Sequence, residues 1–234
     1  MALIKQELDD AAIECGLTPP TSWLSTSDAT AVQVVSIMRA VVEDLLDRHD
    51  WSGAAEEATI APSVETSSWV FTADYERMQR DVSAVFEVSP NRRPVACVTS
   101  DGSWREMVSW GWSGAQRYFR KTGTGLEFYR PLPAGAVVKV NYQTAKWIVG
   151  GLSAWANEAS DKPVFPSRLI RLGVVARWRK QKGYRYSDES AEYEAAIVRA
   201  MAEDAPRRSF STDGPSGEAA HPMRVPVPDV IGGA

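Results

Sequence analysis

Helical periodicity is strong in only two distant stretches of the 234-residue chain, and this constrains the fold more than any other feature. Between Asp28 and about Arg48, apolar residues recur at spacings of three and four, and the preceding STSD supplies helix caps. The helical period returns only from Phe165. The sequence therefore predicts an α+β protein in which residues 1–50 and 163–205 form a helical body around a β-rich insertion.

The second periodic stretch predicts a pair of helices joined by a turn, a helix hairpin. Pro166 and Ser167 open a helix to about Lys182, Gly183 ends it, and Ser187 caps the next helix. One apolar stripe follows on that last helix: Tyr193, Ala196, Ile197, Ala200 and Met201. We expect this stripe to pack on the apolar face of the N-terminal helix.

Residues 51–162 are rich in glycine, serine, threonine and aromatic residues and have short β-branched runs, which predicts a β-rich insertion. The segment GLEFYRPLPAGAVVKVNY has two extended runs around PLPAG, so we predict a β-hairpin near residues 126–142. Near Trp104 the period fits a short helical turn. The tryptophan cluster Trp104, Trp110 and Trp112 fits either core packing or burial against a partner.

Residues 206–234 are rich in proline, glycine, serine and alanine and hold too few large apolar residues for a core. They are predicted to form an extended tail. Its segment MRVPVPDVI alternates valine and proline, which favours an extended or polyproline conformation with apolar anchors.

Charge is segregated along this chain, whose net charge is −4. Residues 161–186 carry eight bases and one acid, and residues 187–206 carry six acids and one base. These bases could be neutralised within the chain, or they could contact an adjacent copy or another protein. Nucleic-acid binding is the third reading, which the acidic chain disfavours. The candidate subunit-interface residues are Arg168, Arg171, Arg177, Arg179, Lys180 and Lys182.

Signatures of catalysis and of cofactor or metal binding are scarce. His49 and His221 are the only histidines, which argues against histidine-based catalysis or a multi-histidine metal site. KTGTGLEF precedes a predicted strand, whereas phosphate-binding glycine loops precede a helix. Cys15 and Cys97 have neither metal-ligand nor disulfide spacing. We therefore predict no enzyme activity, no cofactor and no metal.

No run approaches the roughly 18 apolar residues of a membrane span. The N-terminal MALIKQELDD is too acidic for a secretory signal or transit peptide. The protein is expected in the cytosol when made, with no membrane partner.

The order of these elements resembles the head-to-tail adaptor proteins (head completion, or tail accessory, proteins) of tailed bacteriophages, above all the short-tailed ones. The resemblance is good over residues 128–205, weaker over the N-terminal helix and poor over residues 51–113. In that family a hairpin ending near a tyrosine precedes a proline-led basic helix, a K-G-x-x-Y turn and an acidic helix. The matching positions are Tyr142, Pro166, Trp178, Lys182, Gly183, Tyr186 and Tyr193.

The resemblance implies a structural protein of the virion that lies at the head-tail junction after assembly in the host cytoplasm. It implies a ring of about twelve copies bound to the portal protein above and to a tail (nozzle or hub) protein below. Genomic double-stranded DNA would pass through the lumen without specific binding. Family tails often reach into the portal, so the implied portal-binding residues are Met223, Arg224, Val225, Val227, Val230 and Ile231.

Two other functions fit the same sequence. A virion-associated hydrolase of cell-wall glycan would need a cleft with two suitably separated carboxylates. A DNA-binding packaging accessory would bind duplex DNA with a steep salt dependence.

Overall fold

The computed structural model describes residues 3–80, 84–90 and 92–204. Within these ranges the chain is α+β, with five α-helices and two β-sheets. The helices are α1 (Ile4–Glu14), α2 (Ala29–Arg48), α3 (Asp101–Trp110), α4 (Arg168–Gln181) and α5 (Ser187–Asp204). The predicted tail lies outside the described residues.

Helix α2 forms where the apolar period predicted it. The Asp28 side chain accepts a hydrogen bond from the Thr30 backbone N–H at 2.9 Å and caps the first turn. Val34, Met38, Val41 and Leu45 are all buried on one face. The sequence prediction for this helix is confirmed.

The predicted helix hairpin is α4 and α5. Gly183 adopts a left-handed conformation (φ 74°) just after α4, and α5 begins four residues later. Tyr193, Ile197 and Ala200 of the predicted stripe are buried, but α5 packs mainly on α4, which itself packs on α1 and α2. The stripe and the apolar face of α2 share one hydrophobic core, as predicted, but α5 packs chiefly on α4, which in turn packs on α2.

Helix α1 was not predicted. Ile4, Leu8, Ala11 and Ala12 have helical spacing and are buried where α1 packs on α4. The high acid content of this segment hid a short apolar stripe. The four helices α1, α2, α4 and α5 share one hydrophobic cluster, here called the helix cluster.

Two mostly antiparallel β-sheets make up the middle of the chain. The first sheet has the order β1-β9-β4-β5, with β3 also paired to β9, and the second has the order β2-β8-β7-β6. The strands are β1 (Ala55–Ile60), β2 (Thr66–Val70), β3 (Tyr75–Met78), β4 (Val85–Ser89), β5 (Arg93–Pro94), β6 (Ala96–Cys97), β7 (Tyr118–Lys121), β8 (Gly125–Leu132) and β9 (Val137–Thr144). Their facing sides form a second hydrophobic cluster, so this region is a small sandwich.

The predicted hairpin near residues 126–142 is wrong, although both strands exist. Strand β8 pairs with β2 and β7, whereas β9 pairs with β1, β3 and β4 in the other sheet. Leu126 and Phe128 of β8 and Val138 and Val140 of β9 point into one core from opposite sides. The PLPAG turn therefore carries the chain across the sandwich instead of pairing its two flanks.

The predicted helical turn near Trp104 is confirmed and is a full helix, α3. The Ser100 hydroxyl accepts from the Ser103 N–H at its start, and Gly111 (φ 58°) ends it. Trp104 is buried against Tyr129 of β8, on the sheet face opposite the sandwich core. Helix α3 thus covers the outside of the second sheet.

The helix cluster meets the end of the first sheet where β1 starts and β9 finishes. Trp51, Ala54 and Trp147, which flank these strands, belong to the helix cluster. A Cβ at Gly53 would lie only 2.9 Å from the Val164 Cβ, so the chain segments approach closely here. The junction is a packed contact as well as a covalent connection.

Candidate interaction surfaces

Four of the six basic side chains predicted for the subunit interface pair with carboxylates of the same chain. The pairs are Arg168 with Glu192, Arg171 with Glu7, Asp10 and Glu14, Arg177 with Asp44, and Arg179 with Glu189. The Arg168 pair is the most open, with both side chains more than half exposed. Exposed pairs of this kind add little to stability.

The two lysines of this set contact aromatic rings. Lys182 Nζ lies 4.4 Å from the ring centroid of Trp178 and donates to Gln33 Oε1 at 3.1 Å. Lys180 Nζ lies 5.9 Å from the ring centroid of Tyr186. Both lysines are exposed, so a partner can still reach their charge.

Neutralisation within the chain therefore accounts for Arg171, Arg177 and Arg179, which lie between helices of one copy. Arg168, Lys180 and Lys182 remain on the surface. Contact of any of the six with a neighbouring copy stays a prediction.

The tryptophan cluster is divided between core and surface. Trp104 is 5% exposed, whereas Trp110 is 79% and Trp112 is 52% exposed, with Val108 beside them at 57%. We call Val108, Trp110 and Trp112 the aromatic tip. Sequence alone could not separate these roles, because they depend on which face of α3 lies on the sheet.

The aromatic tip is held by an arginine that the sequence did not single out. Arg130 donates to the carbonyl oxygens of Trp112 and Gly114 at 2.8 and 2.9 Å, and the Tyr129 hydroxyl donates to the Trp112 carbonyl at 3.1 Å. Arg130 itself has a positive φ of 63°, a backbone conformation that is uncommon for a residue with a side chain. The backbone that follows α3, at Trp112 and Gly114, is therefore fixed to β8 by three hydrogen bonds.

A groove of about 430 Å³ lies between α2, β3 and the segment 147–155. Val35, Met38, Val42, Trp147 and Trp155 line its apolar part. Three exposed acids, Glu43, Asp47 and Glu76, lie at its rim with Arg39. We call this feature the α2 groove. No sequence pattern indicated it, because its walls come from three separate segments.

Trp155 in the wall of the α2 groove is 8% exposed, and its indole N–H has no hydrogen-bond partner among the described residues. Its position is fixed by Asp161, whose carboxylate accepts from the N–H groups of Ala156 and Asn157 at 3.0 and 2.8 Å. Buried donors are nearly always paired, so this indole is an exception that needs an explanation.

Polar contacts tie the helix cluster to the first sheet. Arg77 of β3 pairs with Asp50 and donates to the carbonyl oxygens of Leu46 and His49. Lys146 bridges Asp74 at 2.6 Å and Glu56 at 3.3 Å. The hydrogen bond from Lys146, followed by one from Thr72, lowers the pKa of Asp74 from 3.8 to about 2, so this carboxyl is ionised at neutral pH.

The one histidine in the described ranges lies in a serine and aspartate cluster that is not arranged for nucleophilic catalysis. His49 Nε2 lies 3.0 Å from Asp204 Oδ2, and the Ser52 hydroxyl donates to Asp204 Oδ1 at 2.6 Å. The carboxylate thus stands between the serine and the histidine, whereas activation of a serine requires the imidazole in that place. Asp204 also accepts from the Ser52 N–H, which fixes the end of α5 to the start of β1.

The thiols are not activated either. Burial raises the pKa of Cys15 to about 11 and raises that of Cys97, so both stay protonated at neutral pH. In the described part of the chain no group of three or more metal-ligating side chains comes together, and none of its helices could span a membrane.

Comparison of the chain with protein-family models and with curated proteins finds no match.

Proposed function

We propose that this protein is a structural connector of a tailed-bacteriophage virion. It forms a ring of about twelve copies between the portal protein and a tail (nozzle or hub) protein, and genomic double-stranded DNA passes through the ring without specific binding. The helix cluster is its body, the sandwich is an insertion, and residues 206–234 form an extended tail. This role needs no catalytic group, cofactor or metal.

The observation that carries the proposal is the aromatic tip. Exposed tryptophans are enriched at protein interfaces, because each ring offers a large contact area. At roughly 25 cal/mol per Å² of buried area, covering each ring would contribute about 2 to 4 kcal/mol. We assign the aromatic tip to the contact with the tail protein.

The ring contact is assigned to the basic surface of α4. In a cyclic ring each copy presents two different surfaces to its two neighbours, so basic and acidic surfaces can face each other. Arg168, Lys180 and Lys182 are the exposed bases, and Asp188 and Glu203 of α5 are exposed acids. Because this contact is charged more than apolar, we expect the free protein to associate weakly and in a salt-dependent way.

The portal contact is assigned to the tail, through Met223, Arg224, Val225, Val227, Val230 and Ile231. Extended segments bind grooves through backbone hydrogen bonds and alternating side chains. About twelve copies that bind together would strengthen a moderate affinity per copy.

Co-sedimentation with the cognate portal ring tests this assignment. The full chain is expected to sediment with the portal, and a chain that ends at Pro206 is expected to lose this binding while it keeps the circular dichroism of the folded body. A matched control replaces Trp110 with serine, which should leave portal binding unchanged because the aromatic tip faces the tail protein. Equal portal binding by the full and the truncated chains would refute the role of the tail.

A further inference from the structure

We propose that the α2 groove is a binding site for the proline-rich segment Met223–Ile231 of the same chain, which occupies it in the free protein. The segment lies outside the described residues, and the groove is fully within them. This inference is independent of the proposed function, because site and ligand belong to one polypeptide.

The first support is the chemistry of the groove wall. Proline-rich segments in the polyproline conformation bind aromatic-lined grooves, and Trp147 and Trp155 line this one. The Trp155 N–H lacks an acceptor among the described residues, and such a segment supplies free backbone carbonyls. Proline lacks an N–H, so a valine-proline repeat has more backbone acceptors than backbone donors.

The second support is charge. The rim carries Glu43, Asp47 and Glu76. Asp47 is paired with Arg80 at 3.7 Å and Arg77 is paired with Asp50, so Glu43 and Glu76 stand against the exposed Arg39. The segment opens with Arg224, directly before Val225 and Pro226, and its one acid, Asp229, lies at the opposite end. An acidic rim beside an apolar wall therefore matches a base beside an apolar run.

The third support is the place where the described chain ends. The Asp204 carboxylate accepts from Ser52 and lies 3.0 Å from His49 Nε2, and the His49 carbonyl accepts from Arg77, which lines the groove. Asp204, the last described residue, is therefore linked to the groove wall through His49 and Arg77. A connection of about 18 residues has a root-mean-square span of roughly 20 to 25 Å, which gives a millimolar effective concentration of the segment at the groove.

The test uses the full chain and a fluorescently labelled synthetic peptide with the sequence of residues 223–231. Val227→Asp in the protein should weaken binding of the chain's own segment to the α2 groove. Residue 227 lies outside the described residues, so the substitution leaves the groove itself unchanged. The peptide, read by fluorescence anisotropy, is expected to bind the Val227→Asp chain at least about tenfold more tightly than the wild-type chain, whose own segment competes. A peptide of the same composition in scrambled order should not bind.

Two groove variants in the Val227→Asp background locate the site. Trp155→Phe keeps an aromatic ring in the groove wall but removes the indole N–H, and loss of that hydrogen bond should weaken peptide binding about tenfold. Trp110→Phe, on the distant aromatic tip, is the matched control and should have no effect. Glu43→Lys, at an exposed rim position, provides a second test that does not disturb the core, and it should weaken binding of the peptide through Arg224.

The proposal is overturned if the peptide binds the wild-type and Val227→Asp chains equally, or if it does not bind the Val227→Asp chain at all. It is also overturned if sedimentation shows that wild-type chains form dimers that Val227→Asp dissolves, since the segment would then occupy the groove of a second copy. The proposal is supported if the wild-type chain is a monomer and if Val227→Asp makes the α2 groove available to the peptide.

Discussion

At the scale of single residues, Gly173 decides how closely three helices can approach. A Cβ at this position of α4 would lie 2.7 Å from Cγ1 of Val41 on α2 and 3.0 Å from the ring of Tyr193 on α5. Real Cβ atoms do not approach side chains at 2.7 Å, so the three helices meet here because the residue is glycine.

Gly173→Ala is expected to destabilise the protein by about 1 to 3 kcal/mol in chemical denaturation, because overpacking outweighs the higher helix propensity of alanine. Gly102→Ala in α3 is the matched control, since its nearest contact would be 3.5 Å away. The control should be neutral or slightly stabilising. If Gly173→Ala were as stable as wild type, the close helix contact would be wrong.

Asp74 gives the protein a pH dependence at acidic pH. Its folded pKa is depressed to about 2 from 3.8, so its contribution to stability is complete above about pH 4 and is lost as pH falls toward 2. Asp74→Asn should therefore be less stable than wild type at pH 7, and the difference should shrink between pH 4 and pH 2. Denaturation of both proteins across this range measures it, with Glu65→Gln, an exposed carboxylate that has no ion pair among the described residues, as the control. A difference that stays constant with pH would contradict the ion pair with Lys146.

At the scale of elements, the sequence predicted what depends on local period and failed where pairing depends on distant segments. Helices α2, α4 and α5 follow from apolar spacing and caps, and α1 carried the same signal in only a few residues. Strands β8 and β9 were each recognisable, but their partners lie far away in sequence. Alternation along a strand shows which of its faces is apolar. It does not show that the apolar faces of β8 and β9 enter one core from opposite sheets.

The contact of α5 with α4 can be tested by one substitution on each face of α5. Ile197 is 2% exposed and its neighbour Val198 is 66% exposed. Ile197→Asp should lower the free energy of unfolding by several kcal/mol, because it buries an unpaired charge in the helix cluster. Val198→Asp places the same charge in solvent and should change stability by less than about 0.5 kcal/mol. Equal thermal melting of the two variants would reject this packing.

At the scale of the whole molecule, the surfaces assigned to different partners lie on different elements. The basic surface lies on α4 of the helix cluster, and the aromatic tip lies on α3, beyond the second sheet. The α2 groove lies where the helix cluster meets the first sheet. The basic residues were visible in the sequence as a charge run. The α2 groove and the hydrogen bonds from Arg130 to Trp112 and Gly114 require segments that only the fold brings together.

The connector account is tested most directly by electron microscopy of the full chain mixed with its cognate portal ring. We expect a ring of about twelve copies on one face of the portal, with an open central channel and with the aromatic tips on the side away from the portal. The protein alone should sediment as a monomer or a weak, salt-sensitive oligomer. Portal rings without added density at saturating protein, or a stable ring of the free chain that is insensitive to salt, would contradict the account.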